Sequence, residues 1–272
     1  MTELVRKIIV IASLLAMVII SGCTTTVGPI DSVSPENVFI DASPVVIKEF
    51  QEQDISLKIS NNATQSIDSV MVSSYMPFII TGTDSLNIAG KENAADTAES
   101  SILNSKIMAP AFDTDTNESA VTISYLSGTD DEGLQITKTK SVPVEVTILP
   151  DVQLQFLGFV KDMDSLRTTS AEAWELEAGE NATITFSVKN HGQSTVPAGI
   201  LTVVADVDNK LIADQASMNI SEAMARSGTS HTKGMQIPVK DDAPNGETDI
   251  YVRLMYGDHI VDEQKLVLKV KL

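Results

Sequence analysis

The chain has 272 residues, and its 19 lysines and arginines face 37 aspartates and glutamates, a formal net charge of −18 at pH 7. Without residues 1–22, which contain Arg6, Lys7 and Glu3, the remainder has 17 basic and 36 acidic residues. Such an acidic surface repels polyanions, so the composition excludes nucleic acid as a partner.

The first 22 residues have the three parts of a secretory signal peptide. Two basic residues precede an apolar run from Ile8 to Ile20, and Ser21 and Gly22 then supply small residues. The apolar run is shorter than the roughly 20 residues that a membrane-spanning helix needs. We therefore predict that residues 1–22 form a helical signal peptide.

The only cysteine of the chain, Cys23, follows this segment directly. Together with it, Ile20, Ser21 and Gly22 form a stretch that resembles the lipobox of prokaryotic lipoproteins. In that family the cysteine receives a diacylglyceryl group and becomes the first residue of the mature chain. The resemblance implies that Cys23 is lipidated, and two acyl chains, at about 0.8 kcal/mol per buried CH₂, anchor a protein stably. An ordinary signal peptide or an uncleaved anchor is the alternative.

The stretch after the cysteine is rich in Thr, Ser, Pro and Gly and has no periodicity. We predict that residues 23–36 form a flexible tether. A random coil of about 13 residues spans near 20 Å, which lifts the first folded domain clear of the lipid headgroups.

From residue 37 onward, apolar and polar residues alternate in short stretches bounded by Asn, Gly, Asp and Pro. Period-2 alternation of this kind predicts half-buried antiparallel strands. Stretches 141–149 and 265–272 alternate, and only Ser217–Arg226 is predicted to form a helical turn or two. The strongest alternation places these residues on inward faces: Ile55, Leu57, Ile59, Val121, Ile123, Tyr125, Ile184, Phe186, Val188, Ile250, Val252 and Leu254.

Two of these stretches recur at the same spacing. Residues 55–61 align with 184–190, and residues 123–128 align with 252–257, both at an offset of 129. Matches in one register, far apart in the chain, indicate a duplicated domain.

The duplication defines the predicted architecture. We place one domain at residues 37–149 and the other at 150–272, each of the size of an immunoglobulin-like sandwich. The predicted fold is therefore all-β, with two tandem immunoglobulin-like antiparallel β-sandwiches behind the signal peptide helix. Because the connection at Pro150 is short, we expect the domains to lie end to end with limited bending.

A stretch in the second domain, residues 176–199, resembles the strand–turn–strand core of CARDB and NEW3 domains. The shared features are Gly179-Glu180 before the strand, the alternation within it, and the turn from Asn190 to Gly192, which we attribute to positive φ angles. These domains are immunoglobulin-like sandwiches in surface proteins of archaea and bacteria. The resemblance implies a spacer or adhesion module and carries no catalytic residues. The first copy lacks the Gly-Glu pair.

Four Asn-x-Ser/Thr sequons are candidate N-glycosylation sites, all in predicted turns or strand edges. The acceptor residues are Asn62, Asn117, Asn181 and Asn219.

Two other patterns resemble functional motifs, but a structural role or a chance match explains each of them better. Asp113, Asp115 and Asn117 begin like a calcium loop, but the glycine and the glutamate that follow in such loops are missing, so we predict a polar turn. Ser230 and Lys233 match Ser-x-x-Lys without its companion motifs, which indicates a chance match.

Histidine and tryptophan offer no clearer site. His191, His231 and His259 are not spaced as zinc ligands, and no other metal site or cofactor motif is present. The single tryptophan, Trp174, is predicted to close the edge of the core.

The favoured function is that of a non-catalytic, lipid-anchored surface protein, acting as a scaffold, adhesin or accessory subunit of a cell-envelope assembly. One alternative is a surface-anchored protein that binds a small molecule or ion for a transporter, although such proteins have βαβ lobes. An enzyme is the third. The predicted partners are the membrane, through the lipid anchor, and other envelope proteins. The sequence leaves the oligomeric state open.

Overall fold

The computed structural model describes residues 32–114, 119–160, 168–169 and 173–271. In these ranges the one helical element is a short 3₁₀ helix, Pro35–Asn37, and no helix is long and apolar enough to cross a membrane. The strands are β1 (Val38–Asp41), β2 (Val45–Lys48), β3 (Glu52–Asn61), β4 (Ile67–Met76), β5 (Ile79–Thr83), β6 (Leu86–Ile88), β7 (Glu99–Met108), β8 (Ala120–Thr129), β9 (Gln135–Pro143), β10 (Val146–Leu149), β11 (Val152–Val160), β12 (Thr168–Thr169), β13 (Ala173–Glu177), β14 (Asn181–Asn190), β15 (Leu201–Val207), β16 (Ala216–Asn219), β17 (Lys233–Pro238), β18 (Gly246–Tyr256) and β19 (His259–Lys271). The predicted all-β class is confirmed.

The strands before Pro150 pair only with one another. One sheet has the order β1-β3-β7-β5 and another the order β6-β4-β8-β9, and both are antiparallel. Strands β2 and β10 form a separate, short parallel pair. Alternate residues of β3 and β8 point into one buried apolar cluster, which explains their period-2 pattern.

The strands after Pro150 repeat this pairing. One antiparallel sheet has the order β12-β11-β14-β17, and the other has the order β13-β19-β18-β15-β16, with β13 parallel to β19. Their inward residues form a second buried cluster that includes Ile184, Phe186 and Leu254. Burial of each such large side chain contributes about 1.5–3 kcal/mol. All twelve residues predicted to face inward are buried.

The predicted offset of 129 reappears in the strand bounds and in a buried corner. β14 begins and ends 129 residues after β3, and both strands end in an asparagine with no exposed surface, Asn61 and Asn190. Each side chain accepts from the backbone N–H two residues later and donates to the backbone carbonyl four residues later. Buried polar atoms need hydrogen-bond partners, which explains why both asparagines make the same local bonds. Duplication itself stays a prediction.

Two local predictions are wrong. Ser217–Arg226 is not helical, because residues 216–219 form β16 and pair with β15, and Val196 and Met224 form a bridge further on. The stretch 141–149 is not one strand: β9 ends at Pro143, and β10 then pairs with β2 instead of β8.

The folded region also begins earlier than the predicted tether allows. Val33 is 1% exposed. Its N–H donates to Ser127 Oγ at 2.5 Å, and its carbonyl accepts from Tyr125 Oη at 3.4 Å and from Lys138 Nζ at 3.1 Å. We call these contacts the N-terminal latch. Ser34 then caps the 3₁₀ helix. Residues 32–36 are therefore ordered, whereas the sequence assigns them to a flexible tether.

Candidate functional site

Several predicted sites lie outside the described residues. These include the signal peptide 1–22, Cys23 with its lipid, and the sequon asparagine Asn117. The predicted polar turn that starts at Asp113 continues into residues 115–118, which also lie outside. Trp174 belongs to β13, but its side chain is not among those described. These assignments therefore stay predictions.

The described sequons occupy different settings. Asn62 is exposed after the end of β3, and its Oδ1 accepts from Lys91 Nζ at 3.1 Å. Asn219 is exposed on β16, and its Oδ1 accepts from Thr202 Oγ1 at 2.8 Å. Asn181 is the first residue of β14. The exposed side chains of Asn62 and Asn219 leave room for a glycan once these hydrogen bonds open.

The Ser-x-x-Lys match has a structural role in this fold. Ser230 is 6% exposed, and its Oγ accepts from the Val188 N–H and donates to the His231 carbonyl. Lys233 Nζ instead pairs with Glu222, which holds the pKa of that carboxyl below its ordinary value. The hydroxyl is committed to the backbone, and the amine to a carboxylate, so the two do not form a nucleophile–base pair.

The histidines and acidic side chains do not converge. His231 Nδ1 lies 3.4 Å from Glu222, while the backbone N–H of His191 donates to the backbone carbonyl of Asp151. Among the residues that the structure describes, no three His, Cys, Asp or Glu side chains are grouped so that they could hold a metal ion.

A buried carboxylate joins the two halves of the molecule. Glu49 follows β2 in the first half and is 4% exposed. Its Oε2 accepts from the Phe112 N–H at 3.2 Å and from Ser194 Oγ of the second half at 2.6 Å. A hydrogen bond to a buried charged group contributes about 1.5–3 kcal/mol, and loss of one partner leaves the other unsatisfied. Glu49 therefore links Phe112 of the first half to Ser194 of the second.

The close approach of Glu49 to the second half involves Gly192. A Cβ atom at that position would lie 1.7 Å from Glu49 Oε1, so any other residue would displace the carboxylate from its observed position. The φ angle of Gly192 is not among the positive ones, and neither is that of Asn190. The positive-φ interpretation of this turn is therefore wrong, whereas Gly179 does adopt a φ of 79°. Space, and the side-chain hydrogen bonds of Asn190, explain the turn.

Further contacts lie at or near the boundary between the halves. Within the second half, the Asp151 carbonyl accepts from the backbone N–H groups of His191 and Gly192 at 2.8 and 3.0 Å. The Phe112 and Tyr256 rings meet edge to face, with centroids 5.4 Å apart. Tyr256 and Ile200 pack against both apolar clusters. We call this set of contacts, together with Glu49, the joint.

Sequence reasoning missed both Glu49 and the N-terminal latch. Glu49 lies in a polar stretch that looks like a surface turn, and its partner Ser194 is 145 residues away. Val33 lies in a segment without periodicity. The one signal available was the glycine at position 192, which we attributed to the wrong property.

Comparisons with known proteins assign no family. No family model matches the sequence, and no curated protein matches it. Among solved structures, a transglutaminase of red sea bream is similar over 87% of this chain and 31% of its own, at 10% identity and a TM-score of 0.34. The chain thus spans about a third of that enzyme.

Two streptococcal domains of the antigen I/II family are also distantly similar. The C-terminal domain of the antigen I/II polypeptide BspA of Streptococcus agalactiae is 9% identical, with 84% of this chain and 95% of that one covered and a TM-score of 0.26. The corresponding domain of AspA of Streptococcus pyogenes has the same identity and coverages and a TM-score of 0.28. Likeness at this level assigns no activity.

Proposed function

We propose that the chain is a non-catalytic lipoprotein of the outer face of the cell membrane. In this proposal, Cys23 carries the lipid, and residues 37–149 and 150–272 are tandem immunoglobulin-like sandwiches, the second of the CARDB type. The pair acts as a rigid scaffold, adhesin or accessory subunit of a cell-envelope assembly. Exposed sequon asparagines such as Asn62 and Asn219 are its candidate glycan sites.

The observation that carries this proposal is the joint. A module that only had to be soluble would gain nothing from a buried carboxylate between its halves, since desolvation of a charge costs several kcal/mol. The cost is understandable where two modules must keep one orientation. The N-terminal latch lies near the start of β1, which pairs with the end of β3. The joint lies near Glu52, at the beginning of β3. The first half therefore separates the second half from the tether.

Replacement of the lipidated residue tests the anchor. In a Cys23→Ser variant no thiol is available for acylation, so we expect the protein in the culture medium or with its leader retained. The measurement is fractionation of cells and medium, with mass spectrometry of the N-terminus. Thr24→Ser is the matched control and should fractionate with membranes. A Cys23→Ser protein that is processed and membrane-bound like the unsubstituted chain contradicts the lipoprotein assignment.

A further inference from the structure

One turn occurs at the same place in both halves and carries a different residue in each. The turns 48–51 and 177–180 precede β3 and β14, and in each the N–H of the last residue donates to the carbonyl of the first at 3.2 Å. The third residue has a positive φ angle, 58° at Phe50 and 79° at Gly179. The two positions are separated by the same offset of 129, so phenylalanine in the first half stands where the second half has glycine.

Phenylalanine is a poor residue for this position. With a positive φ angle the Cβ atom crowds the following carbonyl oxygen, which glycine avoids because it has no Cβ. A bulky side chain in this conformation is strained, and strained residues persist where they serve a function. The first half therefore keeps Phe50 at a cost in stability that Gly179 avoids in the second half.

The fold itself makes little use of the Phe50 ring. The residue is 42% exposed, and it is not among the hydrophobic residues that pack against either apolar cluster. Among the described residues, no aromatic ring stacks on the Phe50 ring and no cationic group lies over it. The gain that offsets the strain is therefore to be sought in a partner.

Two further apolar side chains lie close to the end of this turn. Across the sheet, Glu52 is directly opposite Met108, and Met108 is directly opposite Ile79. Such cross-strand neighbours lie about 5 Å apart. The row is on the outer face of the sheet, because Ile107, next to Met108, faces the first apolar cluster. Ile79 is 55% exposed, so a segment that crosses Phe50 and Glu52 also finds an apolar contact.

The unmatched charge beside this row is negative. Lys48 pairs with Asp151 at 3.8 Å, and Lys106 pairs with Asp54 at 3.7 Å, so both nearby lysines have a carboxylate partner. Glu52 is exposed and forms no ion pair with any described residue. A cation that covers an aromatic ring and also meets a carboxylate is attracted by both. The turn and the row therefore fit a basic, partly apolar ligand.

We propose that Phe50 anchors a segment of another cell-envelope protein. An arginine or lysine of that segment covers the Phe50 ring and pairs with Glu52, while an apolar neighbour contacts Ile79. This inference rests on the proposed envelope role, and it names the contact and the chemistry of the partner. A second copy of the chain is a poorer occupant, because two chains with a net charge of −18 repel each other.

Replacement of Phe50 by glycine tests whether the fold uses the ring. Phe50→Gly relieves the strained φ angle, so its urea midpoint should be at least as high as that of the unsubstituted chain. Phe39 on β1 is the matched control, since it is 52% exposed and does not have a positive φ angle. Phe39→Gly should lower the midpoint, because glycine weakens a strand. A clear fall for Phe50→Gly would show that the ring stabilises the fold, which overturns the inference.

Photo-crosslinking tests the partner. The photoreactive analogue p-benzoylphenylalanine replaces Phe50 in the full chain, in cells of the host, and mass spectrometry locates the attachment site. We expect attachment to an envelope protein, beside an arginine or lysine. Glu52→Lys should lower the yield at least about fivefold, because the new charge repels that basic residue. The same analogue in place of Phe39 should give no such product.

Three results of the crosslinking overturn the inference. They are no product from position 50, a product that joins two copies of this chain, and attachment to a segment without a basic residue. Fractionation of the Cys23→Ser variant tests the anchor and not this contact, so the two proposals fail separately.

Discussion

At the scale of single residues, the buried asparagine corner makes a quantitative prediction. Asn190 Nδ2 donates to the backbone carbonyls of Ser194, Met224 and Ala225. Without the amide, the Ser194 carbonyl loses this donor, whereas the other two carbonyls keep bonds from the N–H groups of Val196 and Gly228. An unsatisfied buried group costs about 1–3 kcal/mol, so Asn190→Ala should lower the free energy of unfolding by about 1–3 kcal/mol. Urea denaturation measures this change.

The exposed asparagine on β16 supplies the control. Asn219→Ala removes one solvent-exposed hydrogen bond and should change the free energy of unfolding by less than about 0.5 kcal/mol. Asn61→Ala should resemble Asn190→Ala, because Asn61 makes the same local bonds in the first half. Equal, small effects for all three variants would contradict the structural role of the corner.

Residue types also show where sequence reasoning ends. The pattern around Asn190 marks a turn correctly, because asparagine and glycine are rare inside strands. It does not reveal whether Gly192 is needed for its φ angle or for the space it leaves. That distinction depends on Glu49, which comes from a distant part of the chain. Long-range contacts of single polar residues leave no local pattern.

At the scale of elements, alternation predicted the central strands well. In β3, β8, β14 and β18 one face meets an apolar cluster and the other meets solvent, so the period-2 signal is strong. Prediction failed where pairing rather than burial sets the structure. The change of partner between β9 and β10 leaves the alternation intact, and β16 is too short to show any.

The N-terminal latch predicts a response to alkaline pH. Burial raises the pKa of the Tyr125 phenol from 10.0 to about 12. The neutral form is favoured in the folded state, so its stabilisation is complete below pH 10 and is lost as the pH rises through 12. We expect the urea midpoint to fall between pH 10 and 12.

Two variants separate Tyr125 from the other buried tyrosine. Tyr125→Phe should flatten this alkaline decline. Burial also raises the pKa of Tyr75, so Tyr75→Phe should remove a separate part of the decline and leave the Tyr125 part in place. If Tyr125→Phe declines as steeply as the unsubstituted chain, the latch does not depend on the neutral phenol.

At the scale of the whole molecule, orientation depends on very few groups. Among the described residues, the hydrophobic side chains that pack against both apolar clusters are those of Ile200 and Tyr256, so hydrophobic burial between the halves is small. The ion pair Lys48–Asp151, at 3.8 Å, is partly exposed and contributes little. Limited bending, expected from the short connection at Pro150, therefore requires the buried bonds of Glu49.

Spin labels in the two halves would measure that bending. We would place cysteines at the exposed positions Ser56 and Ser217 of a chain without Cys23 and record the distance distribution by pulsed electron paramagnetic resonance. One narrow distribution is expected. Glu49→Ala should broaden it, because the Phe112 N–H and the Ser194 hydroxyl lose their shared acceptor.

Further variants test the same joint without truncating the Glu49 side chain. Gly192→Ala places a methyl group against Glu49 and should broaden the distribution as Glu49→Ala does. Gly246→Ala is the matched control, because a Cβ there meets nothing within 4 Å. Glu49→Gln keeps an acceptor oxygen and should broaden it least. A broad distribution in the unsubstituted chain would show that the halves move independently, and the joint could then not hold two modules in one orientation.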